Sequence, residues 1–139
     1  MIIKQASVFI ENKPGRLAEI TGIIAENNIN MRAASLAETA NSGILRIIAD
    51  DPDKVEEVLR ERGVTASIKK VISVLVGDEA GGLAEMLKIL ADNGIAIKYM
   101  YAFAVKGGKA CIIMRVGDEE TDKAAGILEK AGYGGLKTE

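Results

Sequence analysis

The hydrophobic positions of this chain switch between two periods. Short runs rich in β-branched and aromatic residues, such as "KQASVFI" at 4–10 and "VISVLV" at 71–76, are typical of strands. Each run is followed by apolar residues three and four positions apart, which predict an amphipathic helix. The helical positions are Leu17, Ile20 and Ile24 after the first run, and Leu83, Met86, Leu87 and Leu90 after the second.

The whole pattern occurs twice. The segment 7–31 matches the segment 73–97 without a gap, and many residues recur 66 positions later. They include Ser7, Val8, Gly15, Leu17, Ala18, Glu19, Ala25, Asn27 and Ile29. Two copies of this size favour tandem small domains over a solenoid, and we expect them to span 1–70 and 71–139.

Each copy continues with the same elements. "INMRAASLA" and "IAIKYMYAFAV" read as second strands, and "GILRIIA" and "KACIIMRV" read as their partners. The second helices begin at "DDPD", with Asp51 as N-cap, and at "GDEE", and they end at Gly63 and Gly132. "TASIKK" and "GGLKT" are the predicted last strands. The order is βαββαβ twice, an α+β ferredoxin-like fold with antiparallel sheets and both helices on one face.

Composition narrows the function classes. The net charge is −2 with no basic stripe, so we expect no nucleic-acid partner. No apolar run is long enough for a membrane span, and the N-terminus does not resemble a signal peptide. A single cysteine agrees with a cytoplasmic location. Histidine is absent, which removes the commonest proton-transfer side chain and metal ligand, and we expect no catalytic residues, metal or cofactor.

The turn "NKPGRL" between the first strand and helix is the candidate site. Gly15 permits close approach of the backbone, and the N–H groups of Arg16, Leu17 and Ala18 open the helix without intrahelical partners, which favours an anion. The carboxamide of Asn12 adds a donor and an acceptor, and Asn30 is expected nearby. Together these groups could hold the carboxylate and ammonium of a free amino acid. The alternative is that the turn only reverses the chain, as most such turns do.

The segment "NKPGRLAEITGIIAENNINM" inside a βαββαβ unit resembles the ACT domain, whose pattern is Asp or Asn, Pro-Gly, Leu, an amphipathic helix and a closing Asn-Ile. Copy two is similar, with Ala80 in place of proline and Ala96 in place of Asn30. The resemblance implies paired ACT domains that bind a small amino acid at an interface between units. It implies ligand contacts from Asn12, Lys13, Pro14, Gly15, Arg16, Leu17, Asn30 and Met31 in copy one, and from Asp78, Gly81, Gly82 and Leu83 in copy two.

Other candidates are weaker. Tyr99 and Tyr101 replace Ala33 and Ser35 on one face of the second strand, and they either pack in the core or an interface or wall a pocket. Cys111 lies among apolar strand residues and is expected to be buried and inert. The runs "DDPD" and "GDEE" favour helix capping over cation binding.

Our leading hypothesis is therefore a regulatory protein that senses an amino acid and signals to a regulated enzyme. The alternative is a ligand-free subunit that docks on an amino-acid biosynthetic enzyme, and an enzyme ranks third because no activated groups are paired. Whether two chains form a homodimer stays open.

Overall fold

The structure, a computed structural model, describes residues 1–136. The chain divides into two compact units. The N-terminal unit is Lys4–Lys69, and the C-terminal unit combines Met1–Ile3 with the chain from Lys70 onward. Each unit is described separately below.

The N-terminal unit contains strands β1 (Ile2–Glu11), β2 (Met31–Glu38), β3 (Ser42–Ala49) and the first part of β4 (Ala66–Gly77), with helices α1 (Arg16–Glu26) and α2 (Pro52–Glu61). The strand order is β2-β3-β1-β4. β3 pairs antiparallel with both β1 and β2.

The C-terminal unit contains the rest of β4, helix α3 (Gly82–Asp92), strands β5 (Tyr99–Val105) and β6 (Lys109–Arg115), a 3₁₀ turn (Asp118–Glu120) and helix α4 (Thr121–Lys130). The strand order is β4-β6-β5, and both pairs are antiparallel. These elements confirm the predicted ferredoxin-like arrangement in two copies.

Each unit has a core between its helices and one face of its sheet. In the N-terminal unit, alternate residues of β1 and β3 pack against apolar residues of both helices: Ala6, Val8, Leu45 and Ile47 with Ile20, Ile24, Val55 and Leu59. In the C-terminal unit, the equivalent cluster joins Ile72, Val74, Ile112 and Met114 to Met86, Leu90, Ala124 and Leu128. The apolar strand residues, which recur every two positions, and the apolar helix residues, which recur about every 3.6 positions, thus face each other in the core of each unit.

The two capping predictions have different outcomes. Asp51 accepts a hydrogen bond from the N–H of Lys54 at 3.1 Å, which confirms it as the N-cap of α2. The carboxylates of "GDEE" do lie at a helix start, in the 3₁₀ turn Asp118–Glu120, but no side chain caps that turn or α4. Asp118 instead accepts a hydrogen bond from the guanidinium of Arg115 at 2.7 Å.

Two strand predictions also need correction. "TASIKK" and "VISVLV" are not separate strands, since Ala66–Gly77 form the single twelve-residue strand β4. In "GGLKT", the described residues 134–136 have no strand assignment, although the N–H of Leu75 donates to the carbonyl of Gly134 at 2.8 Å. The remainder of that segment lies outside the described residues.

Candidate functional site

The turn between β1 and α1 is tight and ends at a glycine with a left-handed backbone. Gly15 has φ 84°, a conformation that glycine adopts without strain. The N–H of Lys13 donates to the carbonyl of Glu11 at 3.0 Å, and the N–H of Arg16 donates to the carbonyl of Lys13 at 3.3 Å. These bonds hold the turn in place and direct the chain into α1.

The first turn of α1 has no side-chain cap. The N–H of Glu19 donates to the carbonyl of Gly15 at 2.9 Å, but within residues 1–136 no hydrogen bond engages the N–H groups of Leu17 and Ala18. Unpaired amides at the positive end of a helix dipole favour an anion. The Arg16 side chain lies at the same helix end, where its guanidinium bonds Glu19 at 2.9 Å and its Nε is buried without a partner in the described chain.

A cleft of about 200 Å³ lies beside this turn. It is bordered by the end of β1, the turn, the start of α1 and the β2–β3 hairpin. Its lining residues are Ile10, Glu11, Asn12, Lys13, Leu17, Leu36, Ala37, Glu38, Ser42 and Gly43.

One wall of the cleft is apolar. Leu17 is 37% exposed and Leu36 is 52% exposed, and both border the cleft next to the buried Ile10. A Cβ built on Gly43 would lie 3.3 Å from Leu36 Cδ1 and 3.5 Å from Ile10 Cγ1. Any side chain at position 43 would therefore project against this wall, and glycine keeps the wall accessible.

The rim of the cleft is polar and carries one carboxylate without a countercharge. Glu11 pairs with Lys13 at 3.3 Å, so these two charges offset each other. Glu38 forms no ion pair among the residues that the structure describes. The side chains of Asn12 and Ser42 supply further donors and acceptors.

The structure brings together only part of the predicted site. Asn12, Lys13 and Leu17 line the cleft, whereas Pro14, Gly15 and Arg16 belong to the turn without lining it. The sequence also missed five residues of the hairpin that close the other side: Leu36, Ala37, Glu38, Ser42 and Gly43. The signal for them was the antiparallel pairing of the first and third strands, which brings the hairpin turn next to the end of β1.

The expectation that Asn30 lies near the turn is wrong for this unit. Glu11 pairs with Ser42, while Met31 pairs with Ala49, seven residues further along β3. At about 3.3 Å per residue, this places Met31 and the adjacent Asn30 about 23 Å from the turn. Asn30 instead pairs with Asp50, through N–H to Oδ1 at 3.2 Å and through the reverse backbone bond at 3.1 Å.

The C-terminal unit repeats the turn with different chemistry. Gly81 has φ 88°, and Gly82 takes the place of Arg16 at the start of α3. A Cβ on Gly82 would collide with the carbonyl oxygen of Gly77, so no side chain fits there. Asp78 is exposed and its N–H donates to the carbonyl of Gly108 at 2.9 Å, while Leu83 packs against the core of this unit.

The strand registers also identify the counterparts of the hairpin residues. Leu36 lies opposite Leu45 in the N-terminal unit, and Ala102 lies opposite Ile112 in the C-terminal unit. In the same way, Glu38 lies opposite Gly43, and Ala104 lies opposite Ala110. Leu36, Glu38 and Gly43 therefore correspond to three alanines. The C-terminal unit therefore keeps a leucine at the position of Leu17 but lacks both the second leucine and the carboxylate of the N-terminal cleft.

Other functional signals are limited. Within residues 1–136, no group of three or more histidine, cysteine, aspartate or glutamate residues is placed to hold a metal ion. Cys111 is fully buried, as predicted. Tyr99 and Tyr101 are both half-buried on β5. None of the helices in the described chain is long and apolar enough to cross a bilayer.

Comparisons with known proteins agree with this architecture. A family model described as an ACT domain pair matches residues 1–135. The crystal structure of protein BT0572 from Bacteroides thetaiotaomicron matches with a TM-score of 0.90 and 38% identity, covering 98% of this chain and 92% of that one.

More distant structures share the fold. The ligand-free regulatory subunit of aspartate kinase from Thermus thermophilus has a TM-score of 0.65 at 16% identity, covering 95% of this chain and 97% of that one. The corresponding subunit from Thermus flavus has a TM-score of 0.60 at 16% identity, covering 94% and 95%. A comparison with curated proteins gave no significant match.

Proposed function

The chain belongs to the ACT domain pair family, and from this premise we propose that it is a non-catalytic regulatory protein that binds a free amino acid in the cleft of its N-terminal unit. The observation that carries the proposal is that one cleft is lined both by Leu17, which lies in the uncapped first turn of α1, and by Glu38, a carboxylate without a countercharge. The helix start favours a negative group and the carboxylate favours a positive group. These are the two charged ends of an amino acid.

The proposed binding mode assigns one role to each group. The ligand carboxylate accepts hydrogen bonds from the N–H groups of Leu17 and Ala18 and from the carboxamide of Asn12. Its ammonium group pairs with Glu38. Lys13, Pro14, Gly15 and Arg16 shape the turn that presents these amides, and Asn30 and Met31 are too far along β2 to contribute to this cleft.

We extend the proposal to a weaker second site at Asp78, Gly81, Gly82 and Leu83. The same backbone turn supports this extension, since α3 also begins without a side-chain cap. However, Ala104 stands where the N-terminal unit has Glu38, so an ammonium group would lack its partner. Binding there should be much weaker.

Occupancy of the cleft provides a route to regulation. A ligand held by α1 on one side and by Glu38 of the β2–β3 hairpin on the other favours the conformations in which both are correctly placed. The response is limited by the difference in ligand affinity between conformations. A regulated enzyme would read that difference by binding one conformation better than the other.

The proposed assembly includes a homodimer of the chain. Units of about 70 residues bury limited core, and association through sheet edges is a common way for small units to gain stability. In the N-terminal unit, β2 is the outer strand. Sedimentation equilibrium in the micromolar range tests this part, and a monomer at all concentrations would remove it.

A thermal-shift panel of twenty amino acids tests the central proposal. A ligand at about 100 times its Kd stabilises the protein by about 2.7 kcal/mol, which raises Tm by several degrees. No shift with any amino acid at millimolar concentration would count against sensing. Co-purification with an enzyme in that case would support the alternative, a ligand-free interaction subunit.

A further inference from the structure

We infer that the cleft of the N-terminal unit selects amino acids with an aliphatic side chain, such as leucine, isoleucine, valine or methionine. The inference rests on the proposed function and adds the class of ligand to it. Its basis is the apolar wall of Leu17, Leu36 and Ile10, which the binding of the charged ligand ends does not use.

The apolar wall of the cleft is exposed to solvent. Among the residues described, the large hydrophobic side chains that are exposed are Phe9, Leu17 and Leu36, and two of the three border one cleft. Neighbouring exposed apolar groups in a concave surface are typical of a site that an apolar ligand group covers. A glycine or serine ligand would leave this wall in contact with water.

The cleft offers room for an aliphatic side chain. Its volume is about 200 Å³, and it is partly open to solvent. A branched or unbranched aliphatic side chain can therefore lie along the apolar wall.

The charges around the cleft disfavour other classes of ligand. Lys13 already pairs with Glu11, so an acidic side chain would have to displace Glu11 to reach this cation. Glu38 is the carboxylate without a countercharge, and the α-ammonium group uses it. A lysine side chain would have to compete for the same carboxylate while its methylene groups cover the wall, which makes lysine the informative competitor.

The C-terminal unit provides an internal contrast. Its equivalents of Leu36 and Glu38 are Ala102 and Ala104, so its apolar wall is smaller and it offers no ammonium partner. We therefore expect one aliphatic ligand per chain.

Isothermal titration calorimetry of the full chain tests the inference. We expect leucine, isoleucine, valine and methionine to bind at least tenfold more tightly than glycine, serine, aspartate or lysine. Two leucine analogues test the charged ends: 4-methylpentanoate lacks the amine, leucinol lacks the carboxylate, and both should bind more weakly than leucine. Tightest binding of lysine, aspartate or glycine would overturn the inference.

Matched variants locate the apolar contact. Leu36→Ala reproduces the C-terminal unit and should weaken leucine binding about tenfold, since part of a buried leucine contact is lost. Phe9→Ala is the control, because Phe9 is 53% exposed but does not line the cleft, and it should leave affinity unchanged. Leu36 is half exposed, so its truncation should not prevent folding, which circular dichroism checks.

The charge contact has its own pair of variants. Glu38→Gln should weaken leucine but not 4-methylpentanoate, whereas Glu129→Gln, an exposed carboxylate of the C-terminal unit, should affect neither. If no amino acid binds at all, the proposed function fails. If a polar amino acid binds and Leu36→Ala leaves the affinity for every ligand unchanged, the function stands and the aliphatic selectivity falls.

Discussion

Replacing Gly82 with alanine tests whether the start of α3 can accept any side chain. An ideal Cβ at this position collides with the carbonyl oxygen of Gly77, which is a backbone atom and cannot rotate away. The counterpart in the N-terminal unit is Arg16, which carries a long side chain at the first position of α1. The two turns therefore differ in how closely the preceding strand approaches the helix.

The expected loss of stability is about 1–2 kcal/mol. Forcing a methyl group into a filled space usually costs about 1–3 kcal/mol, because the backbone must shift. Alanine in a helix recovers up to about 1 kcal/mol relative to glycine. Gly126→Ala in α4 is the matched control, since a Cβ there has no heavy atom within 4 Å, and it should stabilise the protein by about 0.5–1 kcal/mol.

Urea unfolding followed by circular dichroism measures both changes. The midpoint should fall for Gly82→Ala and rise for Gly126→Ala, with similar slopes. If Gly82→Ala were as stabilising as Gly126→Ala, the close approach of Gly77 to α3 would be wrong, and with it our account of why no Arg16 equivalent exists there.

Three further predictions concern the N-terminal unit. Asp51→Ala should lower the free energy of unfolding by about 1 kcal/mol in urea titrations, since Lys54 loses its cap bond; an unchanged midpoint would contradict the cap. Asn12→Ala should weaken amino-acid binding about tenfold by calorimetry, whereas Asn30→Ala should leave it unchanged; the reverse result would relocate the site. Gly43→Val should fill the cleft and abolish binding without unfolding the protein, and retained affinity would show that the ligand binds elsewhere.

Much of the fold could be predicted because the duplication allowed each element to be read twice. The helix ends are examples, since Gly63 and Gly132 both adopt positive φ, at 77° and 95°, where other residues are strained. The continuity of β4 across the join between the two copies could not be predicted in this way. The join between the copies was taken for a strand boundary, although no glycine, proline, asparagine or aspartate interrupts the segment from Ala66 to Val76.

The site was predicted only in part, for a geometric reason. Helix α1 is eleven residues long and carries the chain back along the sheet by about 16 Å, so the strand that follows begins at the end away from the turn. Closeness of Asn12 and Asn30 in sequence therefore did not mean closeness in space. Leu36 and Glu38, at the far end of β2, are the residues that return to the turn.

The hydrogen-bond partner of Asp118 could not be predicted from the sequence pattern either. Its position before a helix made capping the simplest interpretation, but it is hydrogen-bonded to Arg115, a nearly buried residue at the end of β6. A partly desolvated guanidinium benefits more from a carboxylate than an exposed helix end does. The burial of Arg115 depends on tertiary packing, which local sequence does not encode.

The replacement of Leu36, Glu38 and Gly43 by three alanines has a consequence for the shape of any dose–response curve. With a single effective receptor per chain, saturation of an isolated chain should be hyperbolic, with a Hill coefficient of one. Any steeper, switch-like response would then have to originate in contacts between separate chains or with a partner protein, and diluting the protein below the dissociation constant of those contacts should flatten it.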